Sequence, residues 1–252
     1  MKTAGHQRFE ALDSLRGVCA ILVVMFHMPV ASHWRDWGLV QHAYLFVDYF
    51  FVLSGFVIAH AYANRLKSGR DAGRFMVRRF GRIWPLHLLM LGAFVLLELA
   101  RLIFHFDGAV PFTRDRSVEA IFSNLLLVQA WRVHPYLTWN GPAWTLSAEW
   151  ACYLIFAGLV LIAPRRFRWI GLVLAVVGGA LVLAYARRWM NTTFDLAVPR
   201  AVYGFFLGCL LQGLWTRVPR LKGAAATGLE VAAVVAACLF VGSVSYTHLR
   251  AH

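Results

Sequence analysis

Seven runs of mostly apolar residues follow one another along the chain, and each has about the 17–25 residues that a helix needs to cross a bilayer. They cover 15–31, 43–63, 83–106, 143–163, 169–186, 200–216 and 224–244. A shorter apolar piece lies at 118–131, and no Gly/Ser linker or repeat divides the chain. The pattern predicts one all-α, polytopic transmembrane helix bundle with about seven or eight spans.

The composition supports a membrane protein. Hydrophobic residues make up 60% of the 252 positions and charged residues only 15%. Soluble domains have about 45–50% apolar residues, with glycine included, and about 25% charged residues. These values exclude a disordered chain, a soluble globular enzyme and a disulfide-stapled secreted module.

Basic residues lie between the apolar runs and orient the bundle. The segment 64–82 carries seven Lys and Arg residues against one acidic residue, Asp71, so we expect it to be cytoplasmic together with the N-terminus. The net charge of +13 is then explained by the lipid surface, without a nucleic-acid partner. Basic loops at 165–168 and 217–222 also lie inside only if segment 118–131 does not cross. The alternative is that this segment crosses and 165–168 faces outward.

Several ionisable residues interrupt the apolar runs, although each costs about 2.5–3.5 kcal/mol near the bilayer midplane. They are Arg16, His27, Asp48, His60, His87, Glu98, Arg101, His105 and Glu149. A pure membrane anchor has no need of them. Transport or chemistry inside the membrane is therefore the first hypothesis.

Arg16 and His27 lie eleven residues apart, which places them on one helix face about 16 Å apart along the axis. Histidine suits proton transfer because its ordinary pKa, about 6.5, is close to physiological pH. The alternative is that both residues only flank the span at the two membrane interfaces. Spacing alone does not decide between these interpretations.

The stretch NGPAWTLSAEW, residues 140–150, begins the fourth run. Trp144 is expected at interface depth, and Thr145 and Glu149 share a helix face because they lie four residues apart. A histidine with a carboxylate forms a plausible general-base pair, so His27 and Glu149 are candidates. The alternative for Glu149 is a polar contact between helices.

Two further motifs supply candidate residues. Arg79 and Arg82 lie three residues apart at the start of a span, where guanidinium groups can bind phosphates. Anchoring to the inner leaflet is the competing explanation. The stretch DYFFVLSGF provides Ser54 and Gly55 for close helix packing.

Taken together, these residues resemble the acyltransferase 3 family of membrane-bound acyltransferases. The resemblance rests on LDSLRGVCAILVVMFH with its Arg-x10-His spacing, FFVLSGF, Arg79-x-x-Arg82, PAWTLSAEW and PRAVYGFFLGCLL. These motifs occur in order between residue 9 and about residue 211. Each is weak alone, whereas the ordered set is specific.

The resemblance implies transfer of an acyl group, commonly acetyl, from acyl-coenzyme A to a hydroxyl of a cell-surface carbohydrate such as lipopolysaccharide or exopolysaccharide. By analogy His27 is the catalytic base or acyl-relay residue, Arg16 positions or stabilises charge, and Glu149 supports His27 or the acceptor. Arg79 and Arg82 bind the donor's phosphates, while Ser54, Trp144 and Thr145 support the site. The location implied is the bacterial inner membrane, with no bound cofactor.

The sequence also departs from the family. Members usually have about ten spans, so we expect residues 1–244 to form an acyltransferase 3-like domain that is incomplete at its C-terminus. The polar stretch 245–252 is interpreted as a non-native tail. A glycan or acyl-carrier transporter and a membrane scaffold are the alternative functions. No metal site is expected, because the histidines are scattered without a ligand spacing.

Overall fold

The apolar runs fold as helices in the computed structural model, which describes residues 10–28, 33–105, 108, 110–186, 190–218 and 223–248. Its α-helices are α1 (Glu10–His27), α2 (Gly38–Gln41), α3 (Phe46–Tyr62), α4 (Gly69–Phe104), α5 (Val118–Leu125), α6 (Trp144–Ile162), α7 (Phe167–Tyr185), α8 (Ala197–Trp215) and α9 (Ala224–His248). Short 3-10 helices and one π-helical turn, Gln129–Val133, connect them. Part of the proposed tail, 249–252, lies outside the described residues.

Six helical segments among the described residues are long and apolar enough to cross a membrane. They are Ala43–Tyr62, Gly69–Phe104, Gly141–Ile162, Phe167–Tyr185, Ala197–Trp215 and Ala224–Val241. The first predicted span is not among them, because α1 has 18 residues and includes Glu10, Asp13 and Arg16. The polytopic helix bundle is confirmed, with six such segments in place of the seven or eight spans expected.

Glycines bring the backbones of α3 and α8 into direct contact. A Cβ atom added at Gly55 would overlap the carbonyl oxygen of Phe205, and one at Gly208 would overlap that of Val52. Gly204 faces α3 in the same way, since its Cβ would lie 2.9 Å from the Cβ of Phe51. Small residues permit this close approach, which is a usual source of helix association in lipid.

A buried ion pair joins the same two helices. The Arg200 guanidinium, with 1% of the residue exposed, donates from Nε to Asp48 Oδ1 and from Nη2 to Asp48 Oδ2, both at 2.8 Å. Its remaining donors reach the carbonyl oxygens of Thr192 and Tyr44 at 2.7 and 2.8 Å. A charged group that lacks water needs this full set of partners. The pair therefore explains Asp48, which the sequence marked as an unusual charge in a span.

The segment between α4 and α6 stays at one end of the bundle. Aromatic contacts between Phe75 and Phe156 and between Phe80 and Trp150 show that α4 and α6 run antiparallel. The chain therefore enters α6 from the end at which it leaves α4. In between, α5 has eight residues, about 12 Å, which is too short to cross a membrane. Segment 118–131 is not among the candidate spans of the described residues, and that it does not cross stays a prediction.

Buried polar contacts hold this segment in place. Trp84 Nε1 donates to the carbonyl oxygen of Leu125 at 3.1 Å, and His87 Nε2 lies 3.0 Å from that of Asn124. Glu98, which is 2% exposed, accepts from Arg101 Nη1 at 2.8 Å and from Arg116 Nη1 at 2.5 Å. His87, Glu98 and Arg101 thus have structural partners in this region.

The bundle has two ends, which we call the His27 end and the arginine end. At the His27 end, α1 ends while α3 and α6 begin, and the segment between α4 and α6 lies here. At the arginine end, α3 ends and α4 begins, around Arg79 and Arg82.

The contact between α3 and α8 yields a prediction. Gly208→Ala should destabilise the protein by about 1–3 kcal/mol, because the added methyl group forces the helices apart. Thermal unfolding of the detergent-solubilised protein measures this. Gly158→Ala on α6 is the matched control, since its Cβ meets nothing within 4 Å and alanine favours the helix. Equal unfolding temperatures for the two variants would contradict the close contact.

Candidate functional site

A small cavity at the His27 end brings together four of the predicted site residues. It has a volume of about 180 Å³ and lies between the end of α1 and the beginnings of α3 and α6. Its lining consists of Val23, His27, Val47, Phe50, Phe51, Pro142, Trp144, Thr145 and Glu149. His27, Glu149, Trp144 and Thr145 thus share one cavity although more than a hundred residues separate the first from the others. We call it the His27 cavity.

The orientation of His27 is suited to proton transfer. Its Nδ1 atom lies 2.8 Å from the carbonyl oxygen of Val23, one turn back on α1. A carbonyl oxygen only accepts hydrogen bonds, so Nδ1 carries the proton. In the neutral ring, Nε2 then keeps its lone pair. This is the tautomer that a general base requires.

Glu149 is held by two hydroxyl groups, one from α3 and one from its own helix, α6. Ser54 Oγ on α3 donates a short hydrogen bond to Glu149 Oε1, and the Tyr153 hydroxyl donates to the same oxygen at 2.6 Å. Ser54 therefore forms a hydrogen bond with Glu149, in addition to the helix-packing role that its motif suggested. Tyr153 was not predicted, although its position four residues after Glu149 places it on the same face of α6.

The first turn of α6 shapes one wall of the cavity. Trp144 is buried, its ring lies 6.1 Å from that of Phe51, and the Arg200 guanidinium carbon lies 5.4 Å from the Trp144 ring centre. The hydroxyl of Thr145 donates to the carbonyl oxygen of Pro142 at 2.9 Å. Thr145 and Glu149 both line the cavity, as their spacing predicted, without a hydrogen bond between them.

Arg16 lies apart from this group. Its Nη1 atom pairs with Asp13 Oδ1 at 3.5 Å, and both side chains are substantially exposed. Arg16 is not among the described residues that line the His27 cavity. Eleven residues of helix separate Arg16 from His27, as the sequence indicates, and the role of Arg16 in positioning or charge stabilisation stays a prediction.

A second cavity, of about 440 Å³, lies at the arginine end. Five arginines line it together with apolar and acidic residues: Val57, Ala61, Tyr62, Arg65, Leu66, Asp71, Arg74, Phe75, Arg78, Arg79 and Arg82. The two predicted donor-binding residues, Arg79 and Arg82, are both present. Three more arginines, which the sequence assigned only to membrane anchoring, share the cavity with them. We call it the arginine cavity.

The start of α4 determines this arrangement. Ser68 Oγ accepts from the Asp71 backbone N–H at 3.2 Å and caps the helix. Arg74, Arg78 and Arg82 then recur every four residues, which places them along one face. The acidic residue of the cavity, Asp71, accepts from Ser68 Oγ at 2.8 Å and so belongs to the cap.

Arg79 has an unusual environment. Its guanidinium carbon lies 5.1 Å from the centre of the Tyr62 ring and 5.8 Å from that of Phe75. Its Nε atom is buried and has no hydrogen-bond partner within the described part of the chain. Aromatic rings thus hold a guanidinium group with unused donor capacity at the cavity, which suits an anionic ligand such as a phosphate.

A narrow layer separates the two cavities. On α3, Phe51 lines the His27 cavity and Val57 lines the arginine cavity, and six residues of helix correspond to about 9 Å. Ser54 lies between them. On α6, Glu149 lines the His27 cavity, while the ring of Tyr153, one turn further, lies 5.9 Å from that of Phe75 in the arginine cavity.

Among the described residues, no three His, Cys, Asp or Glu side chains come together as a possible metal site. Two groups of polar residues line cavities of the described bundle: His27 and Glu149 at one end and an arginine cluster at the other. Such an arrangement can bind an anionic ligand at one end and remove a proton at the other.

Comparison with protein families matches residues 9–251 to the acyltransferase 3 family, described as an acyltransferase domain. Protein 2 in the picA locus of Rhizobium radiobacter is 34% identical over 199 residues, which are 74% of this chain and 99% of that protein. Acyltransferase MdmB of Streptomyces mycarofaciens is 30% identical over 177 residues, covering 64% of this chain and 42% of MdmB.

The peptidoglycan O-acetyltransferase OatA of Listeria monocytogenes is 24% identical over 225 residues, 81% of this chain and 34% of OatA. The chain therefore matches less than half the length of MdmB and of OatA. No solved structure matches it. The family match covers nearly the whole chain and coincides with a helix bundle that holds the predicted motifs, and this chain belongs to the acyltransferase 3 family of membrane-bound acyltransferases.

Proposed function

We propose that this chain transfers an acetyl or similar short acyl group from acyl-coenzyme A to a hydroxyl group of a cell-surface carbohydrate. The observation that carries the proposal is the pairing of two cavities at opposite ends of one bundle. One is lined by five arginines and the other by His27 and Glu149. Acyl-coenzyme A has the matching shape, with phosphates at one end of a long arm and the thioester at the other.

The arginine cavity is the proposed site for the donor's phosphates. Arg79 and Arg82 line it with three further arginines, and the Arg79 guanidinium lies against the rings of Tyr62 and Phe75. Forked guanidinium donors form strong, charge-assisted hydrogen bonds with phosphate oxygens. The cluster therefore has a binding role in addition to contact with lipid headgroups.

At the His27 cavity the reaction is acyl transfer with His27 as the base. Nε2 of His27 takes the proton of the acceptor hydroxyl while its oxygen attacks the thioester carbonyl. The carbon–sulfur bond then breaks, and the departing coenzyme A thiolate receives the proton from His27. Glu149, which also lines the cavity, supports the histidinium ion or orients the acceptor hydroxyl.

The acceptor class is proposed from the relatives. OatA is a peptidoglycan O-acetyltransferase, and a Komagataeibacter xylinus relative, 26% identical over 243 residues, is a putative membrane-bound transacylase. A carbohydrate hydroxyl such as that of lipopolysaccharide or exopolysaccharide is the corresponding acceptor. The small volume of the His27 cavity, about 180 Å³, fits a reacting hydroxyl and a short acyl group.

The orientation follows from the donor and from the charge distribution. Acyl-coenzyme A is cytoplasmic, so the arginine end faces the cytoplasm and the His27 end faces outward. The concentration of Arg and Lys at 64–82 agrees with this placement. The protein is then a multi-pass protein of the bacterial inner membrane with a cytoplasmic N-terminus.

Replacing the proposed base tests the chemistry. His27→Ala should lower transfer of radiolabel from acetyl-coenzyme A to glycan by at least about 100-fold, since general-base catalysis contributes about that much. His42→Ala is the matched control, because its Nδ1 lies 2.8 Å from the carbonyl oxygen of Gly38 in the same type of contact, away from the cavity. Full activity of a folded His27→Ala protein would remove His27 from the mechanism.

Replacing the arginines tests donor binding. The double variant Arg79→Gln, Arg82→Gln should raise the KM for acetyl-coenzyme A about tenfold or more, because charge-assisted hydrogen bonds to the phosphates are lost. Steady-state kinetics in membranes measure this. Arg165→Gln with Arg166→Gln is the control, since both lie exposed at the same end after α6. If both double variants keep the normal KM, the arginines serve only as membrane anchors.

A further inference from the structure

Ser54, Glu149 and Tyr153 form a hydrogen-bonded group in the layer between the two cavities. The proposed reaction uses Glu149 and assigns nothing to the phenol of Tyr153. Yet Tyr153 is 4% exposed, and its hydroxyl is committed to the Glu149 carboxylate at 2.6 Å. Because the buried Tyr153 phenol binds the carboxylate of a proposed active-site residue, Glu149, we examine how it affects the reaction.

Both hydroxyl groups bind the same carboxylate oxygen. Ser54 Oγ and the Tyr153 hydroxyl each donate to Glu149 Oε1, and their own oxygens lie 3.4 Å apart. Among the described residues, both hydrogen bonds to the Glu149 carboxylate involve Oε1, and none involves Oε2. Because Glu149 lines the His27 cavity, Oε2 is available to accept a hydrogen bond from a group that enters that cavity. A carboxylate has acceptor capacity on both oxygens.

The aromatic core fixes Tyr153 in turn. Its ring packs edge-on against Phe75 on α4 and Phe205 on α8, with ring centres 5.9 and 6.1 Å away. Both phenylalanines are buried. A ring enclosed in this way does not turn without displacing close-packed neighbours. The direction of the Tyr153 hydroxyl, and with it the position of Glu149, is therefore set by contacts from three helices.

We propose that Tyr153 is a positioning residue of the acyltransferase: together with Ser54 it fixes one oxygen of Glu149 so that the other faces the His27 cavity. This inference rests on the proposed function. A glutamate side chain has three rotatable bonds, and a fixed carboxylate loses less freedom when it meets the histidinium ion or the acceptor hydroxyl. Tyr153 therefore acts on the rate of transfer and not on donor binding at the arginine cavity.

The test combines Tyr153→Phe with Glu149→Gln. Tyr153→Phe keeps the ring and removes the hydroxyl, and it should lower kcat about tenfold, because a hydrogen bond to a charged group is lost. The KM for acetyl-coenzyme A and the unfolding temperature should stay close to those of the wild type. In a Glu149→Gln background the same change should cause no further loss, since Tyr153 acts only through Glu149.

Tyr49→Phe is the matched control. The Tyr49 hydroxyl is also buried but has no hydrogen-bond partner in the part of the chain that the structure describes, so its removal should leave kcat unchanged. Ser54→Ala tests the second donor independently, and its loss of kcat should also vanish in the Glu149→Gln background. This second variant keeps the test decisive if Tyr153→Phe folds poorly.

Three outcomes would overturn the inference. The first is a wild-type kcat for folded Tyr153→Phe, and the second is an equal loss with and without the Glu149 carboxylate. Either result removes Tyr153 from the mechanism and leaves acyl transfer itself intact. The third is a folded wild-type protein that transfers no acyl group from any donor, in which case the proposed function fails and the inference falls with it.

Discussion

The buried ion pair between Asp48 and Arg200 joins the helices that position the candidate site. A guanidinium group that is almost fully excluded from solvent must satisfy its donors inside the protein. Arg200 does so with both oxygens of Asp48 and with two backbone carbonyl groups. These partners bind the first turn of α3 to the first turn of α8. The Arg200 guanidinium also lies against Trp144, which adds the start of α6.

The candidate site follows from this arrangement. With the beginnings of α3 and α6 fixed beside each other, Glu149 lies within reach of Ser54 and in the same cavity as His27. The glycine contacts between α3 and α8 keep the two backbones close along the middle of that pair. At the other end, a capped α4 aligns its arginines around a separate cavity. In the proposed function, donor binding and acyl transfer take place at the two ends of this bundle.

Much of the fold could be predicted from the sequence, because hydrophobic runs indicate helices and residue spacing indicates which side chains share a helix face. The polytopic bundle follows from such rules. They also place Thr145 and Glu149 on one helix face, and both residues line the His27 cavity. The roles of His27, Arg16 and Glu149 rest on the family resemblance and stay predictions. Helix α1 shows a limit of these rules: its apolar run predicted a membrane span, but its charged residues exclude it from the candidate spans by composition.

Partners on other helices were beyond the reach of sequence patterns. Asp48 was recognised as a charge in a span, but its partner lies 152 residues away, and no local period connects them. Tyr153 lies on the same helix face as Glu149, yet only the approach of α3 turns that face into a hydrogen-bonded group. Arg65, Arg74 and Arg78 looked like membrane anchors because charge counting does not detect a cavity. These features come from tertiary packing.

In the proposed function, one donor molecule bridges the two cavities. A cryo-electron microscopy structure of the full chain, with a non-hydrolysable acetyl-coenzyme A analogue and a rigid antibody fragment bound, tests this bridging. We expect phosphate density beside Arg79 and Arg82, and an acyl end that passes the Ser54–Tyr153 layer and reaches His27. Phosphates bound away from the arginine cavity, or an arm that ends outside the His27 cavity, would contradict it.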